Sequence, residues 1–128
     1  MRKFTNVLLI EDDPITIMVC DRIIKMTGFA EQVQSKENGQ EAIKYIKLII
    51  EDETTFPEII FLDINMPVMN GWDFLQEFDA LKSKIPALPR IFILSSTVDP
   101  EDYKRAEEFG TVAGFISKPL TQEHLNDL

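Results

Sequence analysis

EIIFLDINMPVMNGWDFL, residues 58–75, decides the fold. Ile59, Ile60, Phe61 and Leu62 form a short apolar run that ends abruptly in Asp63. A run this short, closed by turn residues, predicts a strand buried on both faces, as in a parallel sheet. Asn65, Met66, Pro67, Asn70 and Gly71 then form a loop that cannot continue the strand. Asp63 therefore stands where the strand leaves the core. Open α/β sheets place their chemistry at that end of a parallel strand. An aspartate there can also simply cap or turn the chain, and the other strand ends decide between the two readings.

Working outward, Val7-Leu8-Leu9-Ile10 is a second buried run, and it ends in Glu11-Asp12-Asp13. Pro14 suits the first position of a helix and Asp13 its N-cap. That helix is expected to reach Thr27 and stop at Gly28. Helical spacing groups Thr16, Val19, Cys20, Ile23 and Thr27 on the sheet side and turns Ile17 and Met18 outward. Residues 30–34 read as a half-polar edge strand. Asn38-Gly39 turns the chain into a helix carrying Ala42, Ile43, Ile46 and Ile49, and residues 51–56 read as a polar connection. After the central strand a helix is predicted over 71–81, with Trp72 and Phe74 as core. The two prolines of SKIPALPR exclude regular structure there. Ile91–Leu94 is a fourth strand ending in Ser95-Ser96-Thr97. A short helix follows from Asp99-Pro100 to about Phe109, with few apolar anchors; such helices are marginal without packing. Val112–Ser117 is a fifth strand, followed by Lys118-Pro119 and a helix begun by Thr121. Strand and helix alternate five times, which predicts an α/β parallel sheet with helices on both faces.

The whole composition agrees with one domain over residues 1–128, 45% hydrophobic and 27% charged. A net charge of −9 argues against a nucleic-acid surface, which needs a basic face. No apolar run approaches the length that spans a bilayer. The chain reads straight into its first strand without a signal peptide. Cys20, the one cysteine, excludes an internal disulfide and fits a cytoplasmic protein; its place on the inner face makes it a small core hydrophobe. His124, the one histidine, excludes a multi-histidine metal site and reads as a surface residue.

In a parallel sheet the polar strand ends collect at one edge: Glu11 and Asp12, Asp63, Ser95 and Lys118. Close carboxylates repel one another and need a counter-charge. Mg²⁺ prefers such oxygen ligands, together with water and phosphate oxygens. A fixed lysine and a hydroxyl donor complete a set suited to phosphoryl transfer, where catalysis is mainly positioning and charge neutralisation. Asp63, in the middle of the sheet, is the acceptor candidate.

EDDP after strand one, FLDINMPVMNG at strand three, ILSS at strand four and FISKPL at strand five, in this order, resemble the receiver domain of two-component response regulators. The resemblance runs over about residues 5–122. It implies a flavodoxin-like, doubly wound (βα)5 fold in three layers, with strand order 2-1-3-4-5. It makes Asp63 the phosphoacceptor from a phosphohistidine on a sensor histidine kinase or histidine phosphotransfer protein. Glu11, Asp12, Asp63 and the main-chain carbonyl of Asn65 would hold Mg²⁺. Ser95 would be the switch hydroxyl, Lys118 would contact the phosphoryl group, and Lys118-Pro119 would be cis. Phe115 stands at the switch aromatic, where a plain packing residue is the alternative. The switching surface would be the fourth helix, fifth strand and fifth helix. Asp13, Ser96 and Thr97 are candidates for tuning the site.

Serine at 95 replaces the commoner threonine, and phenylalanine at 115 a frequent tyrosine. The connection over residues 48–57 is longer than usual, and the last helix is short with no output domain after it. Such a domain is a signalling module rather than an enzyme, catalysing only its own phosphorylation and dephosphorylation. A phosphatase of the haloacid dehalogenase type also uses an aspartate after a strand, but needs a second acid where this chain has Asn65. A flavin-binding carrier of the same fold needs a first loop that welcomes phosphate, whereas Glu11-Asp12-Asp13 repels it.

Overall fold

The computed structural model describes residues 4–52, 56–66, 69–96 and 99–128. Its elements alternate as expected: β1 (Phe4–Ile10), α1 (Pro14–Met26), β2 (Ala30–Lys36), α2 (Gly39–Asp52), β3 (Ile59–Asp63), α3 (Gly71–Leu81), β4 (Arg90–Ser95), α4 (Pro100–Ala106), β5 (Val112–Ser117) and α5 (Gln122–Asn126). The five strands pair in parallel in the order β2-β1-β3-β4-β5.

Alternate strand residues point to opposite faces, so the sheet carries two cores. Leu8, Ile10, Ile60 and Leu62 pack with Ile46 of α2 and Phe74 of α3. Val7, Leu9, Phe61 and Leu94 pack with Ile24 of α1 and Leu125 of α5. Both faces are covered, which is why β1 and β3 read as unbroken apolar runs rather than alternating ones. Burying one such side chain is worth roughly 1.5–3 kcal/mol, so displacing β1 or β3, each paired on both sides, is costly.

Local signals set the helix ends. The Asp13 carboxylate accepts the Ile15 N–H and the Thr16 hydroxyl, with Pro14 opening α1. Gly28, at φ 71°, closes that helix in the left-handed region that favours glycine. Asn70 caps α3 by accepting the Asp73 N–H at 2.9 Å.

Five expectations need correction. The inner face of α1 is Cys20 and Ile24, with Ile17 and Ile23 packed beside them, while Val19 is exposed. The helix is apolar on nearly every side, so spacing alone does not fix its rotation. The edge strand β2 runs on to Lys36, and α2 continues through Glu51 and Asp52. Lys82–Lys84 winds into a 3-10 turn ahead of the prolines. Helix α4 ends at Ala106, its only buried residue, and Phe109 beyond it packs on the core from outside the helix. His124 closes a capping box, its Nδ1 accepting the Thr121 N–H at 3.1 Å.

Candidate functional site

Strand register brings the polar ends together. Ile10 lies level with Leu62, so Glu11 follows at the height of Asp63. Asp63 lies level with Leu94, so Ser95 comes next along β4. Ser95 pairs with Ser117, and Lys118 follows it, its N–H donating to the Ser95 carbonyl at 2.9 Å. Residues more than a hundred positions apart thus reach one edge through backbone pairing alone.

Glu11 is only 1% exposed. Its Oε2 accepts the N–H groups of Asp12 and Asp13 at 3.1 and 3.2 Å. Its Oε1 lies 2.7 Å from Lys118 Nζ. Asp63 is also buried, and its Oδ1 accepts the Asn65 N–H at 3.2 Å and lies 3.6 Å from the same Nζ. The Lys118–Asp63 separation exceeds hydrogen-bond length, so that pair is electrostatic rather than bonded. Glu11, Asp12 and Asp63 each offer a carboxylate oxygen, and these oxygens lie within 4.8 Å of one another.

The acids differ in environment. Burial pushes Glu11 up to about 7, against the pull of the Lys118 hydrogen bond and the Asp13 N–H, and the Asp63 charge adds to the rise. Burial pulls Lys118 down, but its hydrogen bond to Glu11 and the charges of Asp63 and Glu11 outweigh this and hold its proton above the usual range. The Thr16 hydroxyl holds Asp13 below the usual carboxylate range. Asp13 is therefore occupied as a cap and is not one of the three clustered acids. Oxygen donors close together, with one lysine as counter-charge, match a hard cation better than a soft one. Neither Cys20 nor His124 belongs to the cluster; burial pushes the Cys20 thiol up to about 11.

The remaining expected residues are less concentrated. Ser95 is buried at the same edge, Ser96 is exposed, and Thr97 lies outside the described residues. Asn65 is exposed beside Asp63, and Lys118-Pro119 is cis. Phe115 stands apart from the acids, three residues before Lys118, with its ring tilted against Tyr103 at 4.4 Å. Trp72 is core, as expected. It also stacks on Phe109 at 6.3 Å and lies under the Arg105 guanidinium at 4.8 Å, tying α3 to α4. No sequence pattern announces those contacts, which join residues far apart in the chain.

Comparison with known proteins points one way. The family model described as response regulator receiver domain matches residues 7–128. The crystal structure of a two-component response regulator from Cytophaga hutchinsonii is 37% identical, covers 98% of this chain and 93% of its own, and superposes with a TM-score of 0.89. The two-component response regulator ORR41 of Oryza sativa subsp. japonica is 30% identical over 97% of this chain and 91% of its own length. The probable methanogenesis regulatory protein FilR2 of Methanothrix harundinacea is 27% identical over 93% of this chain and 75% of its own.

Proposed function

The chain belongs to the response regulator receiver domain family, and on that premise we propose that Asp63 is the residue that takes the phosphoryl group. The observation that carries this reading is the double reach of Lys118, 2.7 Å from Glu11 and 3.6 Å from Asp63, over three gathered carboxylates. The donor is a phosphohistidine on a sensor histidine kinase or histidine phosphotransfer protein. The 128 residues act as one cytoplasmic receiver domain that catalyses its own phosphorylation and dephosphorylation.

Glu11, Asp12, Asp63 and the Asn65 carbonyl suit Mg²⁺, an oxygen-seeking ion that would neutralise charge on the phosphoryl oxygens. An Asp63 oxygen attacks phosphorus as the phosphorus–nitrogen bond breaks, and the imidazole nitrogen keeps the electron pair. Burial of Asp63 strips water from the attacking carboxylate. Lys118, already held by Glu11, needs no large movement to meet the new phosphoryl oxygens.

The acyl phosphate adds charge and strong acceptors beside Ser95 and Lys118. Each hydrogen bond to a charged group is worth ~1.5–3 kcal/mol. Two such bonds match the roughly 5.5 kcal/mol that turns a 1:99 equilibrium into 99:1. Ser95 and Lys118 follow or end the strands that carry the α4-β5-α5 surface, so that surface receives the signal. Phe115 is its aromatic element, and Asp13, Ser96 and Thr97 tune how long the phosphoryl group stays. Asp63→Asn is expected to abolish labelling by a radioactive phosphodonor; label retained by that variant would overturn the assignment.

A further inference from the structure

We infer that Gly39, the first residue of α2, is a positioning residue for the loop that follows Asp63. Its N–H donates to the Met69 carbonyl at 3.0 Å, across the top of the sheet. A methyl group built on Gly39 would lie 2.8 Å from Met69 Cγ and 2.8 Å from the Met69 carbonyl oxygen. The backbone of Gly39 is outside the left-handed region, so conformational freedom is not what calls for glycine here. What calls for it is the close approach of the loop's return arm.

Both sides of this contact are fixed. Asn38 caps α2, its Oδ1 accepting the Glu41 N–H at 2.9 Å. The Gly39 N–H is among the donors that a helix start leaves without an internal partner, and the loop supplies that partner. On the other side, Met69 leads into Asn70, which caps α3, and the Gly71 N–H donates to the Ile64 carbonyl at 3.2 Å. Ile64 lies between Asp63 and Asn65. Gly39 therefore reaches the acceptor and the Asn65 carbonyl through Met69, Gly71 and Ile64. This role rests on the reading of Asn65 and Asp63 as Mg²⁺ ligands.

Gly39→Ala tests positioning, because the added methyl meets the Met69 carbonyl oxygen and one of the two backbones must shift to admit it. The urea midpoint of the full chain should fall modestly, with the fold retained by circular dichroism. The Mg²⁺ dissociation constant, followed by titrating MgCl₂ against the Asn65 amide resonance, should rise roughly tenfold, scaled from about a hundredfold for a displacement of about 1 Å. The rate of phosphorylation by acetyl phosphate at subsaturating Mg²⁺ should fall in step. Gly110→Ala, where an added methyl meets nothing within 4 Å, should leave the dissociation constant unchanged. Adding Met69→Ala to Gly39→Ala removes the side-chain clash but keeps the carbonyl clash, so weak binding should persist. Full restoration by that second change would overturn a role for the backbone contact.

A measurement on the unaltered chain holds whether or not the variant folds. Coupling between sites is reciprocal, so MgCl₂ should slow hydrogen exchange of the Gly39 amide. Unchanged exchange, or normal Mg²⁺ affinity in Gly39→Ala, overturns the inference. Failure of the unaltered chain to bind Mg²⁺ or accept a phosphoryl group would instead overturn the phosphoacceptor reading, and this inference with it.

Discussion

The cleft at the ends of β1 and β3 and the flank formed by α4, β5 and α5 are held together differently. In the cleft every strand residue from Val7 to Ile10 and from Ile59 to Leu62 is fully buried. The acids there are oriented by backbone: Glu11 by two N–H groups, Asp63 by the Asn65 N–H. On the flank, β5 is mostly half-exposed, α4 buries only Ala106, and α5 buries only Leu125. Side-chain contacts dominate instead: Tyr103 on Phe115, and Arg105 and Phe109 on Trp72. A β-strand paired on both sides cannot shift without breaking two ladders. A helix held by a few aromatic contacts can shift for a few kcal/mol. One fold thus keeps its chemistry rigid beside a surface that is inexpensive to move.

The largest test of the rigid side is Lys118→Ala. It leaves Glu11 and Asp63 buried without the cation that neutralises them. Removing one partner of a buried ion pair costs about 3 kcal/mol or more. Urea unfolding in EDTA at about pH 8 should show that loss, and MgCl₂ should recover part of it by replacing the counter-charge. Unchanged stability would mean the acids are not held by Lys118, and the contrast between cleft and flank would lose its electrostatic half.

A somewhat smaller effect follows from Glu11 in the unaltered chain. Its pKa rises from 4.5 to about 7 on folding, so between those values the folded state binds more protons than the unfolded one. Stability therefore falls as pH rises through that window, by at most about 3 kcal/mol. Lys118, raised above 10.5, contributes stability that is lost only at higher pH and does not overlap. Urea midpoints in EDTA should drop between about pH 5 and about pH 7.5. MgCl₂, which favours the ionised carboxylate, should flatten the slope. A slope that Mg²⁺ does not alter would place the titrating group outside the cleft.

Much of this cleft is legible in sequence, for physical reasons. Buried parallel strands demand apolar runs, and the residues that end them must be polar or turn-forming. Asp63, Ser95 and Lys118 therefore stand out, and register carries them to one edge. Pro14 identifies Asp13 as the cap, which leaves Glu11 and Asp12 for the cleft. The face of α1 is not legible, because Ile15, Ile17, Met18, Val19, Ile23 and Ile24 offer apolar surface all round. Nor is the end of α4, since Glu107 and Glu108 favour helix locally, and Phe109 reaches the core without continuing the helix. The clasp of Gly39 on Met69 leaves no local trace: its cause is the distance between two backbones that folding brings together.

The flank offers the smallest and most discriminating test. Arg105 lies over the ring of Trp72, the chain's single tryptophan, at 4.8 Å. A cation over an aromatic ring at an exposed site is worth about 0.5–1 kcal/mol, so Arg105→Ala should cost no more than that in global stability. Local effects should be larger in proportion, because α4 has little else to hold it. Trp72 emission should change as the charge leaves its face, and amides of α4 should exchange faster. Mg²⁺ affinity should stay where it was, since Arg105 touches none of the clustered acids. If Arg105→Ala instead weakened Mg²⁺ binding, cleft and flank would form one mechanical unit. Trp72 follows Gly71, whose N–H meets the Ile64 carbonyl beside Asp63, and the coupling would then have to run through that link.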